Sequence, residues 1–237
     1  MDWIVGLNGD ELDLQELAKV WNCPEITIEK DNTSYVLKST HFASLTSDQD
    51  VREKANELLI PLNAGIKLEL DSPKPVEITH TIQINPNGTR IALQLCYEVV
   101  GVRNLTQIAT FTKEGIKEVY NPADPVVSLF NLAQSDSQVA KICQYVNLDL
   151  NSWFTLYNIL EILEEDKFKP IMRNGCHKGK ADDLTRTANS YKILGSKSRH
   201  AKRNNAIIKN PLSLPEARSF IMMLIREWLD EKRTKIS

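Results

Sequence analysis

Long apolar runs are missing from this sequence: nowhere does it approach the roughly 20 consecutive apolar residues that a bilayer-spanning helix requires. Residues 1–10 also lack the basic-then-apolar order of a secretory leader. A cytoplasmic protein with no membrane contact is therefore expected. Cysteine is scarce and scattered, at Cys23, Cys96, Cys143 and Cys176 with no Cys-x-x-Cys pair, which argues against a disulfide framework and for reduced thiols. Cys176 and His177 adjoin on the chain, and such neighbours rarely ligate one ion together, so no metal site is expected. The glycine-rich nucleotide loops, the Gly-x-Ser-x-Gly elbow and the His-Glu-x-x-His helix are all absent, and no cofactor is implied. Nine Gly and ten Pro are too few for a collagen-like or low-complexity chain.

What is present is a globular composition. The 237 residues, 42% hydrophobic and 25% charged, supply the core of one large domain or two small ones. Leu12, Leu14, Leu17, Ala18 and Trp21 fit one face of a short helix that Cys23-Pro24 stops. Residues 25–30 and 35–38 read as strands flanking the polar turn Asp31-Asn32-Thr33-Ser34. Residues 47–60 return to helical spacing, with Asp48 and Asp50 at the positive end, and Pro61 and Gly65 are expected to close that helix. Strand signals follow. Ile66, Leu68 and Leu70 alternate with Lys67 and Glu69; Val76, Ile78, His80 and Ile82 set a second register; and Pro86-Asn87-Gly88 turns the chain before Ile91, Leu93 and Leu95, which predicts an antiparallel hairpin. His80 lies in the strand's own period without a second polar partner in sight and reads as structural, and His41 is isolated in the same way and is given no role.

Past Asn121-Pro122-Ala123-Asp124-Pro125 every segment reads as helix. The expected fold class is α+β: a mixed domain with an antiparallel sheet over residues 1–122, and an all-helical domain over 123–237. Helices are expected over 126–133, over 137–145 and from Trp153 through Leu163. The last helix is the most clearly written. Ser213-Leu214-Pro215-Glu216 matches a capping box, and Ala217, Phe220, Ile221, Leu224, Ile225, Trp228 and Leu229 form an apolar stripe that ends in Lys232, Arg233 and Lys235.

The net charge of −2 conceals a separation. Residues 167–209 hold twelve Lys/Arg against Asp182 and Asp183, a local +10, which leaves −12 for the rest. That is the footprint of a phosphate-rich or acidic partner, because neutralising phosphates releases counterions. A solvated loop balanced by an acidic face of the same protein would carry the same pattern. The densest chemistry is Lys197-Ser198-Arg199-His200-Ala201-Lys202-Arg203-Asn204-Asn205. In a helix, Arg199 and Arg203 stack one turn apart, as do His200 and Asn204. Histidine exchanges a proton near neutrality, and arginine offers a fixed fork of donors to a phosphorane. Together they can cut RNA without metal, through attack of its own 2′-hydroxyl. The competing reading has Arg199 and His200 bracing a junction between helices, with Arg186, Thr187 and Asn189 supplying hydrogen bonds.

The order of an Arg-polar dipeptide in a basic helix, an Asn-Pro connector and a capped amphipathic helix (Ser-Arg-His-Ala, Lys-Asn-Pro, Leu-Ser-Leu-Pro-Glu-Ala) resembles the C-terminal half of HEPN-superfamily proteins, over residues 151–235. The resemblance implies an all-helical, homodimeric domain. The family includes metal-independent endoribonucleases of toxin, phage-defence and RNA-processing systems, together with non-catalytic members. Carried onto this chain, Arg199 falls on the family's arginine and His200 on the polar position after it; Arg199 is then expected to hold the scissile phosphate and His200 to take over the proton transfer. Lys197, Lys202, Arg203, Asn204 and Arg186 then guide the RNA. The family's histidine, about a turn beyond its arginine, is replaced here by Asn204 or Asn205, and a second near match, Arg173-Asn174-Gly175-Cys176-His177, is interrupted by glycine. The expected function is a metal-independent RNA-cleaving or RNA-binding effector of a bacterial toxin or phage-defence system. The alternative is a non-catalytic module that docks a nucleotide or an acidic protein partner through the same basic face. Under the effector reading the acidic N-terminal domain is expected to sense a trigger or restrain the cationic surface.

Overall fold

The computed structural model describes residues 2–21, 23–72, 74–85, 89–94, 109–111, 117–119, 121, 123–198, 208 and 210–235. The fold is α+β and divides into two compact units, Met1–Ser135 and Asp136–Ser237.

The first unit is built on five antiparallel strands: β1 (Asp2–Asn8), β2 (Ile26–Asp31), β3 (Ser34–Ser39), β4 (Glu77–Ile84) and β5 (Arg90–Gln94), in the order β2-β3-β1-β4-β5. β1 is the central strand, and Trp3, Ile4, Val5, Gly6 and Leu7 are all buried. A strand covered on both faces shows no polar alternation, so its pattern does not announce a strand. Trp3, Val5 and Leu7 join Ile28, Leu37 and Val76 in one core with side chains of α1 (Glu11–Val20), α2 (Asp48–Glu69) and α3 (Asp124–Ser135). Gly6 faces His80 across the ladder, where a Cβ would lie 2.1 Å from the imidazole. The ring occupies the space a side chain would take, and Thr79 Oγ1 lies 2.8 Å from its Nδ1, so His80 is a packing residue. The hairpin of β4 and β5 forms as the alternation predicts; its turn, residues 86–88, lies outside the described residues. A short pair, β6 (Ala109–Phe111) with β7 (Lys117–Val119), completes the described strands.

One expectation is corrected. Pro61 and Gly65 do not close the helix, and residues 66–70 are not a strand: α2 continues through both residues to Glu69. Burial explains the persistence. Leu58, Leu59, Pro61, Leu62, Ala64, Gly65, Ile66 and Leu68 are all buried, and this tertiary packing offsets the ~3 kcal/mol penalty of an interior proline. The apparent two-residue period arises because these turns are covered on more than one flank. Gly65 abuts Val126 of α3 while Ile66 enters the sheet-side core. Val126 and Phe130 of α3 belong to that same core, so the division between units falls after Ser135, later than the change from mixed to helical patterning near residue 122.

The described elements of the second unit are all helical: α4 (Ser137–Asn147), α5 (Trp153–Glu165), α6 (Lys178–Ala188), α7 (Tyr191–Leu194) and α8 (Leu214–Thr234), with 3-10 turns at Lys169–Ile171 and Gly195–Lys197. α5 packs against α4, α6 and α8, which accounts for its burying Trp153, Leu156, Ile159, Leu160 and Leu163. The capping box at Ser213 and Glu216 forms, and the apolar stripe of α8 is buried from Ala217 to Leu229. No helix among the described residues is long and apolar enough to cross a membrane.

Candidate nucleic-acid interface

The described part of the basic segment alternates buried anchors with exposed cations. α5 ends at Glu165, and Lys167, with φ +57°, reverses the chain. Phe168 and Ile171 then plug into the core, followed by Ala181, Leu184, Thr187 and Ala188 from α6 and by Ser190. Between these anchors, Lys167, Lys169, Arg173, Lys192 and Lys197 point to solvent. Among the described residues, no carboxylate comes within 4.0 Å of any of the five. Elsewhere the cations are engaged: Lys19, Lys38, Lys54, Arg90, Lys141 and Lys235 each reach a carboxylate at 2.5–3.6 Å.

The loop over residues 169–177 is held in one shape. Gly175 N–H donates to Met172 O and His177 N–H donates to Pro170 O, each at 2.7 Å. A Cβ on Gly175 would sit 2.3 Å from the carbonyl oxygens of Lys169 and Pro170, so only glycine fits there. Asn174 takes the left-handed conformation, φ +70°. The loop walls a cavity of about 460 Å³.

The remaining cations and the imidazole in this region are tied to their own chain. Lys178 pairs with Asp182 at 2.8 Å, and the hydrogen bond to that carboxylate is the chief reason its ammonium is held above the ordinary lysine value. Lys180 lies 5.1 Å over the Phe220 ring. His177 Nε2 lies 3.1 Å from Glu227 Oε2, with Phe220 edge-on at 6.0 Å. The second Arg-Asn match therefore has its histidine held by α8, in a turn and not in a helix.

Of the residues singled out by sequence, Lys197 closes the turn after α7 and is exposed, and Arg186 is exposed in the last turn of α6 with its Nη1 3.9 Å from Asp183 Oδ1. Arg199, His200, Lys202, Arg203 and Asn204 lie outside the described residues, as does Asn205. Thr187 Oγ1 donates to Asp183 O within α6 at 2.7 Å and accepts from Leu212 N–H at 3.2 Å, tying α6 to the chain just ahead of α8. Lys169 and Lys192 were part of the charge count but carried no individual signal, and Arg173 stood out only as the arginine of the interrupted second match. Only their lack of partners distinguishes them, and sequence does not show it. Among the described residues, no three His, Cys, Asp or Glu side chains gather as a metal site would require. Cys143 is buried, and burial pushes its thiol up to about 12, far from a reactive thiolate.

No protein-family model, no curated protein and no solved structure matches this chain.

Proposed function

We propose that the helical unit binds RNA through its phosphate backbone along residues 167–197, and that Arg199 and His200, next along the chain, supply the groups that cleave it. The observation that carries this reading is the set of five exposed cations with no carboxylate in reach among the described residues, where many of the other cations are ion-paired. Unpaired surface lysine and arginine retain their full capacity to displace counterions from a polyanion. A loop balanced by its own acidic face would have spent that capacity already. Cleavage would follow the 2′-hydroxyl route: the imidazole takes the hydroxyl proton as the 2′-oxygen bonds to phosphorus, and the guanidinium stabilises the charge on the phosphorane. The P–O5′ bond then breaks, leaving a 2′,3′-cyclic phosphate and a 5′-oxygen that takes the proton back from the imidazolium.

The test measures binding of a labelled single-stranded RNA in chelator across a salt series. Replacing Lys169, Arg173, Lys192 and Lys197 with alanine is expected to lower affinity more than about ten-fold and to flatten the log–log salt slope by about 3, near 0.7 for each lost single-strand contact. A wild-type protein without salt-sensitive RNA binding refutes the reading. Cleavage by wild type but not by Arg199→Ala or His200→Ala supports the nuclease; binding by all three with no cutting reduces the function to a binding module.

A further inference from the structure

The cavity walled by residues 169–176 has a composition that a solvated basic loop does not need. It is lined by the cations Lys169 and Arg173 and the amide of Asn174 together with the apolar Pro170, Met172 and Cys176. Met172 is 39% exposed although the neighbouring Ile171 is fully buried, so the loop places one apolar side chain outward beside two unpaired cations. The glycine contact at Gly175 and the two 2.7 Å backbone hydrogen bonds keep this lining in place without a ligand. The concavity is open rather than enclosed and, at about 460 Å³, leaves room for one nucleotide to lie against it.

We propose that residues 169–176 form a subsite for a single unpaired nucleotide of the RNA. The base lies on Pro170 and Met172, the adjoining phosphate meets Lys169 and Arg173, and the Asn174 amide addresses the base edge. The inference rests on the RNA-binding reading and adds to it a preference for unpaired bases. Single-stranded RNA exposes a π-face that a duplex hides, and a thioether is a favourable neighbour for an aromatic ring. Arginine serves both parts, since its planar fork stacks as well as binding phosphate.

Two substitutions separate base contact from charge. Met172→Ala removes the exposed thioether; Asn174→Gly removes the amide and keeps the left-handed backbone. Neither changes the charge, so both are expected to bind inorganic polyphosphate as wild type does. Each is expected to bind a short single-stranded oligoribonucleotide about five-fold or more weakly, and to lose the preference for that strand over its paired duplex. If both variants bind the oligoribonucleotide like wild type, the subsite is refuted and the RNA reading stands. A wild type that binds polyphosphate and RNA equally well also refutes the subsite, because bases then contribute nothing. A wild type that binds neither overturns the RNA reading, and the subsite falls with it.

Discussion

Lys232 shows how one side chain ties the helical unit together. Its side chain is only 15% exposed; its Nζ lies 2.6 Å from Asp136 Oδ2 and 3.0 Å from Asp166 Oδ2, and 4.9 Å over the Trp228 ring. Trp228 Nε1 donates to Asp166 Oδ2 at 2.7 Å, so α4, α5 and α8 meet at one charge network. Burial opposes the Lys232 charge, and the two carboxylates more than offset it, holding its ammonium above the ordinary value. Burial likewise raises the Asp136 carboxyl, but Lys232 and the Val139 and Gln138 amides outweigh it and hold the group below the usual range. Lys232→Met leaves two half-buried carboxylates without their shared cation and is expected to destabilise the unit by about 2 kcal/mol in denaturant titration at pH 7. The depressed Asp136 value contributes stability that is lost as pH falls below about 4. The raised Lys232 value contributes stability that is lost as pH rises above about 10. The difference between wild type and variant should therefore be level across the neutral range and shrink at both extremes.

At the scale of elements, α2 and α3 decide the first unit's core. Gly65 lets them approach: a Cβ there would lie 2.9 Å from Val126 Cγ1 and 3.3 Å from its Cα. Alanine is favoured over glycine in a helix by about 1 kcal/mol, but overpacking against backbone costs typically 1–3 kcal/mol. The contact should win, so Gly65→Ala is expected to lower the melting temperature, and the double variant with Val126→Ala to recover most of the loss. Local pattern predicted α1, β2, β3, the β4–β5 hairpin, α4, α5 and α8, whose apolar residues follow one clean period and whose ends carry caps or turn residues. It missed β1 because Trp3 to Leu7 has no polar face, and it ended α2 too early because Pro61 breaks helices only where packing does not compensate. The interface was legible in the same partial way. The concentration of cations is visible in the sequence, but which of them lack partners depends on contacts such as Lys178 with Asp182 and His177 with Glu227, fifty positions apart in the latter case.

Across the whole molecule, charge follows the two units. Residues 1–135 carry 19 acids and 11 bases, a net −8, and residues 136–237 carry 12 acids and 18 bases, a net +6. Each unit also has its own buried core. Units with separate cores are the structural basis for separable cooperative unfolding. Calorimetry is expected to resolve two transitions, with Gly65→Ala lowering one and Lys232→Met the other; a single transition shifted equally by both would contradict this division.

The sequence by itself determined the α+β class, the capped last helix, the antiparallel hairpin and the separation of charge, because each of these is encoded in residues close together on the chain. Only the tertiary structure decided that β1 is central, that α3 joins the sheet's core and that α2 survives its proline. It also decided which cations of residues 167–197 remain unpaired. Those outcomes turn on which distant side chains share a space, and burial and ion pairing are properties of that shared space, not of the local run of residues.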